Sequence, residues 1–218
     1  MNAIVLGRRD FKEVDQLISC YTQERGRVDL IARGVKKITS KNGAALEPFS
    51  FVHLGFANGK ELDYLTSVQS KEYFPAIRND LQKGLYAGFI VFLVSTLVYG
   101  DEPDERIFFL LLQTLSALED TTQVTLAFLD SFVIRLLSLL GFTPKISSCL
   151  FCDKKAGSAN SYVFYINSGG IVCSTCANKA ELSLTLVESD RQIFLEMLET
   201  EENNITSTEA LHRCIYTY

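Results

Sequence analysis

The sequence predicts an α+β protein: a small β-barrel first, then an all-helical domain that carries a metal-binding cysteine insert. Three observations predict it. Five short apolar runs, partly β-branched, fall within the first 74 residues. At Pro75 the pattern changes to long apolar segments of helical length. Two Cys-x-x-Cys pairs, Cys149/Cys152 and Cys173/Cys176, follow those segments.

The strand signals come in order. Ala3–Leu6 is the first, and Gln16–Thr22 the second, ended by the turn-like Gln23-Glu24-Arg25-Gly26. Arg27–Arg33 alternates through Val28, Leu30 and Ala32. Phe49–Phe56 and Leu62–Val68 complete the set, with Asn58-Gly59 between them as a turn signal. Five strands in so short a span suit the OB-fold barrel, which often grips single-stranded nucleic acid. An SH3-like barrel has much the same strand count. Lys36–Ala45 interrupts the strands as a polar loop with Lys36, Lys37 and Lys41 near its tip.

Pro75 fits the first turn of a helix, where a missing N–H costs little. One helix is expected from there through Tyr99, stopping near Gly100-Asp101-Glu102-Pro103. A second covers Asp104–Leu118 with Asp104 as N-cap, and a third Thr125–Leu140, ending at Gly141 with Pro144 behind it. These segments are apolar nearly all round, so they belong in a core, or else leave a groove for a partner. Gly84–Gly100 is an uncharged run of 17 residues, short of the ~20 that cross a bilayer. It reads as a buried helix. Beyond the cysteines, Ala177–Leu182 and Ser189–Leu198 are helical by pattern. The expected domains are therefore a barrel at 1–74, a helical domain at 75–148, a zinc-binding element at 149–176 and C-terminal helices at 177–218.

The cysteine pairs carry the sharpest chemistry. Two residues between cysteines let one tight turn aim both sulfurs at one metal. Tyr162–Ile166 and Ile171–Cys173, around Ser168-Gly169-Gly170, form a hairpin that brings the second pair opposite the first. Cys149, Cys152, Cys173 and Cys176 are thus predicted to hold one structural Zn2+. Four thiolates close its coordination shell and leave no position for a catalytic water. An iron–sulfur centre is the alternative. A redox dithiol needs a βαβ setting that is absent, and disulfides need an oxidising compartment. Cys20 and Cys214 stand outside the set as small residues suited to burial.

Composition narrows the function. With 47% hydrophobic and 22% charged residues the chain is an ordinary globular one. Its net charge is -5, but residues 1–80 carry +2 and residues 81–218 carry -7. A polyanion should meet the N-terminal part. There are two histidines, His53 and His212, neither within a catalytic motif, and no P-loop, nucleophile elbow or dinucleotide fingerprint. A binding protein is expected rather than an enzyme. Met1–Leu6 is too short for a signal-peptide core and is followed by Arg8 and Arg9.

An ordered series of segments then resembles the RecO family of DNA repair and recombination mediators. It runs from Ala3-Ile4-Val5-Leu6 through Arg8-Arg9-Asp10-Phe11, Thr22-Gln23-Glu24-Arg25-Gly26-Arg27 and Ala32-Arg33-Gly34-Val35-Lys36-Lys37. Gly43-Ala44-Ala45-Leu46-Glu47-Pro48-Phe49, Leu62-Asp63-Tyr64-Leu65-Thr66, Phe74-Pro75 and Asp80-Leu81 follow. Arg135-Leu136-Leu137, Leu140-Gly141-Phe142 and the cysteine pairs complete it. The resemblance implies an N-terminal OB-fold, a helical domain and a zinc insert. It implies binding of single- and double-stranded DNA, strand annealing and work with RecR. It also implies contact with the C-terminal tail of single-strand binding protein, so that recombinase loads onto coated DNA, in a bacterial cytoplasm. Carried over by motif position, Arg8, Arg9, Arg33, Lys36, Lys37 and Lys41 are the DNA candidates. Phe49 and Phe51 are stacking candidates that alternation favours as core. Only 42 residues follow Cys176, and members of that family usually continue further.

Residue chemistry alone reaches a zinc-stabilised nucleic-acid-binding protein, and two other readings stand beside the mediator that the resemblance implies. One is an RNA-associated zinc-ribbon protein, which would prefer RNA through its 2′-OH. The other is a transferase or nuclease propped by the metal, which would consume a phosphodiester.

Overall fold

The computed structural model describes residues 1–37, 42–100, 102–157, 159–177, 182–199 and 207–217. Five strands open the chain: β1 Asn2–Asp10, β2 Gln16–Thr22, β3 Gly26–Ala32, β4 Phe51–Ala57 and β5 Asp63–Glu72. They close into a barrel in the order β1-β2-β3-β5-β4, with β4 returning to β1. All pairs are antiparallel except β3–β5, where Leu30 faces Asp63 and Ile31 faces Tyr64. That parallel closure gives the five-stranded barrel of the OB type. β1 and β5 run longer than the apolar runs that announce them, because the ladder continues through polar residues where backbone partners remain.

The barrel interior is filled by Val5, Ile18, Cys20, Leu30, Leu46, Val52 and Leu54, among others. Ile4 and Tyr21 face each other in register and are fully buried on the opposite side of the same two strands. β1 packs there against a helix, and Tyr21 Oη donates to the carbonyl of Asp104 at 3.2 Å. A strand buried on both faces reads as the continuous apolar run seen at Ala3–Leu6.

Three helices belong to the same compact unit, Met1–Val124. They are α1 Pro75–Asn79, α2 Leu81–Leu97 and α3 Glu105–Asp120. The single helix expected over Pro75–Tyr99 is therefore two. Asp80 is extended, and its carboxylate accepts from the Lys83 N–H at 3.0 Å, which starts α2 afresh. The short α1 survives because Glu119, distant in sequence, accepts the Ala76 and Ile77 N–H groups at 2.7 and 2.9 Å. Asp104 caps α3 as expected, accepting from the Arg106 N–H.

The second unit is Thr125–Tyr218. It holds α4 Leu126–Leu139, a sheet of β6 Ser161–Tyr165, β7 Gly170–Val172 and β8 Ser183–Val187, then α5 Glu188–Glu199 and α6 Glu209–Thr217. The predicted hairpin is β6–β7, and β8 joins the free edge of β6 to give the order β7-β6-β8. Of the helix expected at Ala177–Leu182, residues 178–181 lie outside the described residues, and Ala177 and Leu182 are not helical. His212 on α6 places Nδ1 2.8 Å from Oδ1 of the fully buried Asp130 on α4. The packing thus places α1–α3 with the barrel and α4 with the cysteine element. No helix among the described residues is long and apolar enough to cross a membrane.

Candidate nucleic-acid interface and metal centre

The strand register gathers the basic candidates at one end of the barrel. Arg9 faces Leu17 and Leu17 faces Ile31, so the end of β1, the start of β2 and the end of β3 share that rim. Arg33 follows β3 directly, and the loop behind it folds back: the Lys36 N–H donates to the Val14 carbonyl, and the Gly34 N–H to Asp15 Oδ1. Arg8, Arg9, Arg33, Lys36 and Lys37 all reach solvent here. Lys41 lies outside the described residues.

These cations are not all idle. Arg8 pairs with Glu47 at 2.6 Å and Lys36 with Asp10 at 2.7 Å. Arg9 is 71% exposed, with Asp29 at the outer limit of pairing, 3.9 Å away. The Lys36 ammonium, first among several causes, holds the Asp10 carboxyl below its ordinary value. Exposed pairs of this kind are screened by solvent and contribute little, so a phosphate can displace the carboxylate at little cost. Lys37 has no ion pair among the described residues, and Arg33 lies over the Tyr64 ring at 4.1 Å.

Of the two aromatics that alternation favoured as core over stacking, Phe51 packs inward and Phe49 leaves the strand. Phe51 meets the buried Phe108 edge-on, with ring centroids 6.2 Å apart. Phe49 adopts φ 72° outside the strand, its ring beneath the Arg78 guanidinium at 5.5 Å. The aromatic residue that the rim presents is Phe11, 44% exposed at the β1–β2 turn, with the Lys12 ammonium over its ring. Sequence alternation gave it no role. The signal was an aromatic residue set inside the charged run Arg9-Asp10-Phe11-Lys12-Glu13, where no core face exists for it.

The four cysteines converge. Their Sγ atoms all lie within 4.8 Å of one another, and Cys152 Sγ is 3.7 Å from Cys173 Sγ. A tetrahedron of thiolates at about 2.3 Å from a metal has edges of about 3.8 Å. The set therefore fits one four-coordinate ion. Cys149 and Cys152 sit on a tight turn closed by the Asp153 N–H donating to the Cys149 carbonyl, with Asp153 at φ 55°. Cys176 and Ala177 N–H groups both donate to the Cys173 carbonyl and form the second turn. Gly170 holds the two halves together. A Cβ there would meet Leu150 Cδ2 and the Lys145 carbonyl, both at 2.8 Å.

The electrostatics suit a cation. Burial raises the Cys149 thiol, but N–H groups of Cys173, Cys152 and Phe151 donating to its sulfur outweigh that and hold it at about 6. Cys173 is lowered, first by the Cys176 N–H. Cys176 is pushed up to about 12 by the Cys173 and Cys152 sulfurs beside it. Thiolates so close together repel, and a divalent ion among them removes the conflict. An ion bound there would use all four sulfurs, so it would brace the fold and present no open coordination position.

Comparison with known proteins places the chain. The family described as Recombination protein O N terminal matches residues 1–74, and Recombination protein O C terminal matches residues 78–214. The DNA repair protein RecO of Pelotomaculum thermopropionicum is 34% identical over 192 residues, covering 86% of this chain and 73% of the relative. That of Symbiobacterium thermophilum is 32% identical, covering 85% and 74%. That of Dehalococcoides mccartyi strain 195 is 34% identical, covering 81% and 69%.

Proposed function

The chain belongs to the RecO family of DNA repair proteins, and on that premise we propose that it is a recombination mediator that binds DNA without catalysing a reaction. It binds single- and double-stranded DNA along the basic rim of the barrel. It anneals complementary strands, works with RecR, and engages the C-terminal tail of single-strand binding protein so that recombinase loads onto coated DNA. Its site of action is the bacterial cytoplasm.

The observation that carries this reading is the register that brings Arg8, Arg9, Arg33, Lys36 and Lys37 to one barrel end. Their role is to neutralise phosphates and release counterions, which makes binding salt-steep and indifferent to sequence. Phe11, and Tyr64 beneath Arg33, offer ring faces to unpaired bases on the same rim. The ion held by Cys149, Cys152, Cys173 and Cys176 is Zn2+, which accepts a tetrahedron of thiolates without a geometric preference of its own.

The test is fluorescence anisotropy on single-stranded DNA across a salt series, with annealing of strands coated by single-strand binding protein. Salt-steep binding together with annealing of coated strands is the expected result. Absence of binding at low salt would overturn the reading.

A further inference from the structure

The metal-bearing unit contains a surface that its fold does not explain. Leu150 supplies the apolar anchor of the first cysteine turn, packed against the cluster of Cys149, Tyr165 and Val172. Its neighbour Phe151 is 61% exposed, touching the Tyr165 ring only edge-on at 6.1 Å between centroids. An aromatic ring left in water at the tip of a rigid turn contributes little to folding. Beside it, Lys154 and Lys155 are exposed and have no ion pair among the described residues, while Asp153 is already taken by Lys145.

The backbone under these side chains is held firmly. The Cys149 N–H donates to the Lys154 carbonyl, and Ser148 and Lys155 form an antiparallel bridge. Charge is concentrated here as well. Residues 142–160 carry three lysines against Asp153, whereas the remainder of 125–218 carries four basic and nine acidic residues. A positive patch with an exposed aromatic, on an otherwise acidic unit, meets the two requirements of a single-strand contact: a ring for an unpaired base and ammonium groups for the phosphates either side.

We propose that the cysteine turn Cys149–Lys155 is a second contact for single-stranded nucleic acid, with Phe151 stacking on a base and Lys154 and Lys155 pairing with phosphates. The proposal rests on the DNA-binding reading above. It assigns to the metal element a share of the binding surface in addition to its structural role. The bland account of the lysines is that they offset the surplus negative charge of four thiolates around a divalent ion. That account leaves Phe151 without a purpose, and it predicts a different result.

The experiment measures anisotropy with oligo(dT) and with duplex DNA across a salt series. It uses the full chain, wild type, Phe151→Ala, Phe151→Trp and the double variant Lys154→Ala/Lys155→Ala, with metal content determined for each. Phe151→Ala should weaken oligo(dT) binding by about five- to tenfold. Its salt slope and metal content should not change. Phe151→Trp should restore affinity, and duplex binding should be unaffected, since paired bases offer no free ring face. The lysine variant should flatten the single-strand salt slope by about 1.4, two contacts at about 0.7 each. Wild-type binding with all variants unchanged would overturn the proposal and leave the barrel reading standing. Absence of wild-type binding would overturn both. Loss of metal from the lysine variant would assign those lysines to the ion and overturn their role as phosphate contacts. Equal affinity of Phe151→Ala and Phe151→Trp would overturn the stacking contact.

Discussion

Asp153 occupies the left-handed region at φ 55°, a conformation that a short polar side chain tolerates and that most side chains avoid. It lets Cys149 and Cys152 aim at one point. Cys149→Ser should abolish stoichiometric metal binding, read by metal analysis of the purified protein; full retention would mean that three thiolates suffice. Gly170→Ala should destabilise by about 1–3 kcal/mol in urea, because overpacking has nowhere to go, with a backbone carbonyl 2.8 Å from the new carbon. At this scale the convergence of the four cysteines was legible, since spacing determines which sulfurs one turn can present. The aromatics were legible in part. Alternation favoured Phe49 and Phe51 as core, and Phe51 does pack on Phe108, but Phe49 sits in a turn outside the strand. Which face an aromatic ring takes depends on partners far along the chain.

Element boundaries show the same dependence. Strands β2 and β3 begin and end within a residue of where their apolar patterns do, because both faces of each strand are defined locally. The break between α1 and α2 is announced by nothing stronger than Asp80, and it is supported by Glu119 from α3. Glu119→Ala should cost about 1–2 kcal/mol, as loss of a charged cap leaves two N–H groups in need of partners. An unchanged urea midpoint would show that water replaces the carboxylate fully. Strand β8 was missed because Ser183–Val187 buries only Leu186 deeply, so its alternation is faint; the exposed edge of β6 recruits it. Ion pairs that fasten loops and helix starts set the acid limit. The Arg25 guanidinium holds Asp63, and that of Arg106 holds Asp104, below the ordinary 3.8; Arg191 holds Glu188 below 4.5. A carboxyl lowered in the folded state stabilises above its unfolded value, and that contribution fades as pH falls through the folded one. The urea midpoint should hold from pH 7 to about 5 and decline below about 4. A level midpoint down to pH 3 would mean that these pairs contribute nothing to stability.

For the molecule as a whole, Lys36→Ala, Lys37→Ala and Lys41→Ala together should flatten the salt slope by about two units on single strands and about three on duplex. An unchanged slope would move the phosphate contacts off this loop. Chelation of the metal should expose amides of residues 145–177 to hydrogen exchange while those of the barrel strands stay protected, because the metal and the barrel core belong to separate compact units. Equal exposure in both would show one cooperative fold. The sequence by itself determined the strand set of the barrel, the four cysteines that converge, the excess of positive charge near the N-terminus and the family, since each is written in local pattern, spacing or ordered motif. Tertiary structure alone decided that β3 meets β5 in parallel, that α1–α3 share a unit with the barrel while α4 packs with α5 and α6 in the unit of the cysteine element, and that Arg8 and Lys36 rest against carboxylates. It also decided that Phe11 and Phe151 stay in water. Those outcomes turn on strand register and on contacts between residues tens of positions apart, which local periodicity does not encode.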